Sequence, residues 1–186
     1  MKPKALLLAP GAGADRTHRT LVAVEDALAP WPVARMDFPY RKAGRKAPDK
    51  APVLLEAVRA EALGLASSAR RRQASVALGG RSMGGRICSM AVADGLPAAA
   101  LVLLSYPLHP PGQPAKLRID HFPALTIPCL FVSGTKDQFG TPDELEHHTE
   151  AIPGPVTHVW LDGQGHDPRN RDALIAQTVH DWLHSL

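Results

Sequence analysis

The chain of 186 residues is 45% hydrophobic and 21% charged, the profile of an ordinary soluble globular protein, and its length suits one domain over residues 1–186. Two cysteines exclude a disulfide framework, and 5% aromatic residues offer no stacking pattern to go with the net charge of +3, which argues against a nucleic-acid partner. The expectation is a cytoplasmic protein with buried free thiols and no membrane association.

The opening MKPKALLLAP holds an apolar run too short for a signal-peptide core or a membrane span, and it reads as a first strand over residues 5–10. Apolar Leu21, Val22, Val24 and Leu28 then predict a helix over 17–28, ended by Pro30. PVARMDFP predicts a second strand over 32–39. The basic stretch RKAGRKAPDK reads as a solvated loop, as does ARRRQ further on. Between them Leu54, Leu55, Val58 and Leu65 mark a helix over 53–69. A third strand is expected over 74–80, a helix over 84–94 and a fourth strand over 100–107, followed by a proline-rich loop. The fifth strand falls at 128–134, a helix at 142–151, the sixth strand at 156–161 and a closing amphipathic helix at 171–183. Strands and helices alternating six times predict βαβ units. The fold class is therefore α/β: a doubly wound, six-stranded, mostly parallel sheet with helices on both faces. The near-continuous apolar strands suit a sheet buried on both sides.

Ligands of such sheets sit at the carboxyl ends of the strands. Directly after the third strand, Gly80-Arg81-Ser82-Met83-Gly84 matches G-x-S-x-G, in which small neighbours let strand and helix meet around a serine on a tight turn. A hydroxyl is a poor nucleophile without a histidine to take its proton and an acid to orient that histidine. Asp137 follows the fifth strand and His166 the sixth, in the chain order serine, acid, histidine, so Ser82, Asp137 and His166 form the candidate triad. The amides of Met83 and Ala12, with Gly13 as the substitute for Ala12, are the candidate oxyanion donors. His180 and His184 have metal-ligand spacing but no evident third ligand, and no metal or organic cofactor is expected. A Walker A loop is absent, and the Gly11-Ala12-Gly13 turn has Arg16 where a dinucleotide fingerprint needs glycine.

These residues resemble those of α/β-hydrolases over nearly the whole chain. The segments DFPY, GRKAPDKAP, GGRSMGGR, SYPLHPPG and GTKDQFGTP are similar to a small branch related to dienelactone hydrolases, which includes the testis-expressed and NSL-complex regulatory hydrolase-like proteins. The resemblance implies sheet order 2-1-3-4-5-6 and a minimal fold that lacks a cap after the fourth strand. Dienelactone hydrolases proper carry cysteine at the nucleophile position. Ser82 here favours a serine esterase over the lactone reaction.

Without a cap the pocket should be open, lined by Tyr40, Arg81, Tyr106, His109, Gln138 and Phe139. Arg41, Lys42, Arg81 and Arg86 are the cations near enough to favour an anionic substrate, unless they pair with acids or face water. The expected partner is a small-molecule acyl substrate, an ester or thioester. The other class that stays open is a catalytically silent scaffold of the same fold.

Overall fold

The computed structural model describes Met1–Leu186. Six strands form one sheet: β1 (Ala5–Ala9), β2 (Val33–Arg35), β3 (Val76–Arg81), β4 (Leu101–Leu104), β5 (Cys129–Gly134) and β6 (Val156–Leu161). Their order is β2-β1-β3-β4-β5-β6 and every pairing is parallel. The helices are α1 (Arg19–Leu28), α2 (Pro39–Lys42), α3 (Ala51–Ser68), α4 (Met83–Ala93), α5 (Pro142–Thr149) and α6 (Asp172–Ser185).

Successive strand residues point to opposite faces, and the two cores follow that alternation. Leu7, Leu78, Leu103 and Phe131 join Val58 of α3, Ile87 of α4 and Leu145 of α5 in the larger core. Leu6, Leu8, Val102 and Leu130 pack with Leu21 and Val24 of α1 and with Ile175 and Val179 of α6 in the other. The central strands are therefore apolar along most of their length, with Arg81 and Ser133 as polar residues near their carboxyl ends, which is why they read as runs rather than as alternations.

Several boundaries differ from the sequence expectation for physical reasons. The second strand is only Val33–Arg35, an edge strand paired on one side, and it stops short of Pro39. Pro39 instead opens the one-turn helix α2 inside the expected loop, a position where a missing N–H is harmless. Helix α3 begins at Ala51, two residues earlier than expected, with Pro52 in its first turn. Between β4 and β5 the chain holds only a 3₁₀ turn at Phe122–Ala124. No helix is long and apolar enough to cross a membrane.

The strand order reverses beside β1: the chain steps from β1 to β2 on one side and crosses back to β3 on the other. The loops after β1 and β3 thus diverge, leaving a crevice at the carboxyl edge of the sheet.

Candidate active site

Ser82 stands at the end of β3, where Gly80 pairs with Ala9 of β1 and Arg81 with Leu104 of β4. Its backbone has φ 51° and ψ −120°, a conformation rare for a side chain larger than hydrogen, and it is held there by its N–H donating to the Leu104 carbonyl at 2.8 Å. Helix α4 starts at the next residue. It comes so close to β1 that a Cβ on Gly84 would lie 2.2 Å from the Ala9 carbonyl oxygen, so glycine is required there.

The structure brings the three candidate residues together. His166 Nε2 lies 2.8 Å from Ser82 Oγ, and His166 Nδ1 lies 2.8 Å from Asp137 Oδ2 and 3.0 Å from Oδ1. Asp137 is 2% exposed, and its Oδ1 also accepts the Phe139 N–H at 2.9 Å. With Nδ1–H donating to the carboxylate, Nε2 carries a lone pair toward the serine hydroxyl. That tautomer follows from the acceptor-only nature of the ionised carboxylate.

The loop carrying His166 is tied to its neighbours at several points. Gln164 accepts from the Lys136 N–H at 2.8 Å, an approach possible because a Cβ on Gly134 would stand 2.1 Å from the Gln164 carbonyl oxygen. Arg81 Nη2 donates to the His166 carbonyl at 2.7 Å and to Asp167 Oδ1 at 3.0 Å. Arg19 also donates to Asp167 at 3.0 Å and to the Pro168 carbonyl at 2.7 Å. Desolvation pushes the Asp167 carboxyl up, but the charges of Arg81 and Arg19 outweigh it and lower its pKa. Phe139 stacks on the His166 ring with centroids 3.9 Å apart.

Ala12 and Met83 both border the cleft around Ser82, and neither backbone N–H donates to another group of the protein. Two unpaired amides at the edge of this cleft are of the kind that can receive charge developing on a carbonyl oxygen. Gly13 borders the same cleft but is exposed, whereas Ala12 is half-buried and its carbonyl accepts the Tyr40 hydroxyl at 2.8 Å. The cleft has a volume of about 580 Å³, within the range of small-ligand pockets, roughly 300–1,000 Å³.

Of the six residues expected to line the pocket, Arg81 and Phe139 do so. Tyr40 and Tyr106 are buried in the larger core, His109 is buried beside Glu144, and Gln138 is exposed outside the cleft. The two tyrosine hydroxyls act one layer back: Tyr40 holds the Ala12 carbonyl, and Tyr106 donates to the Arg118 carbonyl at 2.7 Å. His18, Pro107 and Arg118 border the cleft without having been singled out in the sequence. His18 caps α1 through Nδ1, which accepts the Thr20 N–H at 3.3 Å; burial, then the charges of Arg81 and Arg19, lower its pKa.

A second serine–histidine contact, Ser89 Oγ to His121 Nε2 at 2.8 Å, differs in kind. Ser89 donates its proton to the Arg86 carbonyl at 2.8 Å, so Nε2 must be the donor to Oγ, and the pair is sealed from solvent at Ser89. It is a structural tie between α4 and the β4–β5 loop. The free cysteines, Cys88 and Cys129, are buried, and burial pushes both thiols up to about 12. No three His, Cys, Asp or Glu side chains gather where they could hold a metal ion.

Residues 2–183 match the family described as an alpha/beta hydrolase domain. The chain belongs to that family. Among solved structures, the fold of this alpha/beta hydrolase is similar to that of a dienelactone hydrolase from Anabaena variabilis, with 18% identity, 99% of this chain and 87% of that one covered, and a TM-score of 0.76. It is also similar to Est1E from Butyrivibrio proteoclasticus with bound ferulic acid, at 17% identity, 99% and 89% coverage and a TM-score of 0.73. DcsB, solved with its substrate analogue, gives a TM-score of 0.78 at 13% identity over 99% of this chain and 90% of that one.

Proposed function

We propose that this alpha/beta hydrolase is a serine hydrolase that cleaves a small ester or thioester through an acyl-enzyme. The observation that carries the reading is the continuous relay from buried Asp137 through His166 to Ser82 Oγ, at 2.8 Å on each side of the imidazole, in a cleft edged by two unpaired amides. Ser82 Oγ attacks the acyl carbonyl carbon while His166 Nε2 takes the hydroxyl proton. The carbonyl oxygen becomes an oxyanion facing the Met83 and Ala12 amides; loss of one such donor typically costs about 10²–10³ in rate. Collapse of the tetrahedral species breaks the bond to the leaving alcohol or thiol, which receives the proton from Nε2. Water, deprotonated by the same nitrogen, then attacks the acyl-serine and returns the hydroxyl to Ser82. Asp137 holds the imidazole in the tautomer that both halves need and stabilises the imidazolium formed in each. The breadth of hydrolytic enzymes on this fold is consistent with this chemistry but does not select a substrate.

The test is labelling with a fluorophosphonate, read by intact mass, on wild type, Ser82→Ala and His166→Ala. One adduct on wild type and none on either variant is expected. No adduct on folded wild type would overturn the reading and leave a hydrolase-like scaffold in its place.

A further inference from the structure

The cations around the cleft separate into two kinds. Arg81 is bound to the His166 loop and to Asp167, Arg41 reaches Asp15 at 3.6 Å, and Lys42 meets Glu61 at 2.7 Å. Arg86 and Arg118 both border the cleft with Ser82, and neither guanidinium makes a hydrogen bond or an ion pair within the protein. The Nε of Arg86 is closed off from water with no partner at all. Asp120, the carboxylate nearest in sequence to Arg118, is exposed and pairs with neither.

Their backbones, by contrast, are fixed. Arg86 lies one helical turn after Ser82, its N–H donating to the Ser82 carbonyl at 3.1 Å, and its own carbonyl accepts the Ser89 hydroxyl at 2.8 Å. Arg86 therefore sits in the first turn of α4, and its side chain borders the same cleft as the serine. The Arg118 N–H donates to the Leu108 carbonyl at 2.9 Å, and its carbonyl takes the Tyr106 hydroxyl at 2.7 Å. Burial, then the neighbouring charge of Arg86, lowers the pKa of Arg118. Two guanidinium groups are thus held near each other, partly desolvated, and uncompensated. A buried polar group without a partner is costly, and like charges brought together add to that cost. An oxyanion placed between the two forks would satisfy both, and guanidinium geometry suits carboxylate and phosphate oxygens.

We propose that Arg86 and Arg118 form an anion subsite beside Ser82, so that the substrate is a small ester or thioester bearing a carboxylate or phosphate group a short spacer away from the scissile carbonyl. The substrate assignment rests on the serine-hydrolase reading; the subsite itself does not. The sequence alone offers Arg41, Lys42, Arg81 and Arg86 as sources of positive charge. Ion pairing removes the first three, and the structure adds Arg118.

The first experiment compares kcat/KM for mono-p-nitrophenyl glutarate, its neutral methyl ester and p-nitrophenyl phosphonopropionate on wild type, Arg86→Gln and Arg118→Gln. The readout is the ratio of anionic to neutral substrate, which is independent of the overall rate of each variant. Wild type should favour an anionic substrate by about 10–100-fold, the weight of one or two charge-assisted hydrogen bonds, and each variant should bring the ratio toward one. Preference for the glutarate ester would assign a carboxylate, and preference for the phosphonate a phosphate. A wild-type ratio near one for both would overturn the substrate assignment. The second experiment removes turnover: Ser82→Ala protein is titrated with glutarate and with inorganic phosphate while the arginine Nε–H signals are followed by proton–nitrogen NMR. A saturable shift of the Arg86 signal, weakened in an Arg118→Gln background, supports the subsite even if wild type takes no fluorophosphonate label. No saturable shift with either anion would overturn the subsite, while ester cleavage without anionic preference would leave the hydrolase reading standing.

Discussion

Asp137→Asn is the sharpest perturbation of the relay, because the structure dictates how the amide must sit. Asp137 Oδ1 accepts the Phe139 N–H at 2.9 Å, so the asparagine carbonyl oxygen is required at that position. The NH₂ group then occupies the place of Oδ2, 2.8 Å from His166 Nδ1, where a donor meets a donor, and Nδ1–H is left only the longer 3.0 Å contact to the oxygen at the Oδ1 position, which the Phe139 N–H already engages. The imidazole can relieve that contact by moving its proton to Nε2, which turns Nδ1 into an acceptor. Nε2–H then points at Ser82 Oγ, and the base that should take the hydroxyl proton is lost. A serine triad held in the wrong tautomer loses about 10⁴ in kcat, or about 5 kcal/mol of transition-state stabilisation. The substitution is isosteric and retains the Phe139 contact, so folding should survive. The assay is p-nitrophenyl acetate hydrolysis at neutral pH, with the fluorophosphonate labelling rate as a second reading and circular dichroism to verify the fold. A folded Asp137→Asn protein within about threefold of the wild-type rate would refute the reasoning, since a shift of the tautomer cannot cost so little.

Two further outcomes follow from the packing and the buried histidines. Gly84→Ala places a Cβ 2.2 Å from the Ala9 carbonyl oxygen and 2.6 Å from that of Pro10, both backbone atoms that no rotamer change can move; a fall in Tm of roughly 3–10 °C is expected by calorimetry, with slower fluorophosphonate labelling as the loop after β1 is displaced. Burial lowers the His121 pKa from 6.5 to about 4, so the unfolded chain takes up a proton as pH falls through 6.5 while the folded chain stays neutral there. Stability should therefore decline by about 1–2 kcal/mol between roughly pH 7.5 and pH 5, allowing for partial solvent access, and level off for this group below its folded pKa. His18 and His158, also lowered by burial, contribute with the same sign. Urea unfolding across this range should show a shallower decline in His121→Gln; an unchanged slope would remove His121 as a source.

The fold was legible because its strands are buried on both faces and its helices are amphipathic, two patterns that survive without tertiary information. The relay was legible for a related reason: each member follows a strand by one to five residues, and a parallel sheet brings those ends to one edge. Side-chain direction was not legible. Tyr40 and Tyr106 sit at the expected edge, yet both rings turn into the larger core and only their hydroxyls reach loop carbonyls. Large rings are claimed by the core before a polar cleft can use them. Arg118 could not be found from spacing either, because its place depends on how the β4–β5 loop folds back through Tyr106 and Leu108. Arg86 could be suspected from its position four residues after the serine, but whether a cation is free or paired is decided only by the acids that the fold brings to it.

What separates a working site from an inherited shape is where the unfavourable features fall. A backbone with positive φ is not by itself diagnostic: Arg70, Ser105 and Asn170 share it with Ser82, at a cost of order 1–3 kcal/mol each. Ser105 is buried at the end of β4 and makes no hydrogen bond to a histidine, Arg70 follows the C-terminus of α3, and Asn170 precedes the start of α6. At Ser82 the same strain coincides with a buried carboxylate one imidazole away, two amides left without acceptors, and two guanidinium groups left without counterions. A chain that used only its outer surface would have no physical reason to gather them in one cleft of about 580 Å³. A chain that attacks an anionic acyl group has a use for all four: the amides and the guanidinium groups gain partners when substrate binds or the oxyanion forms, and the carboxylate, already held by His166 and Phe139, stabilises the imidazolium that forms with it.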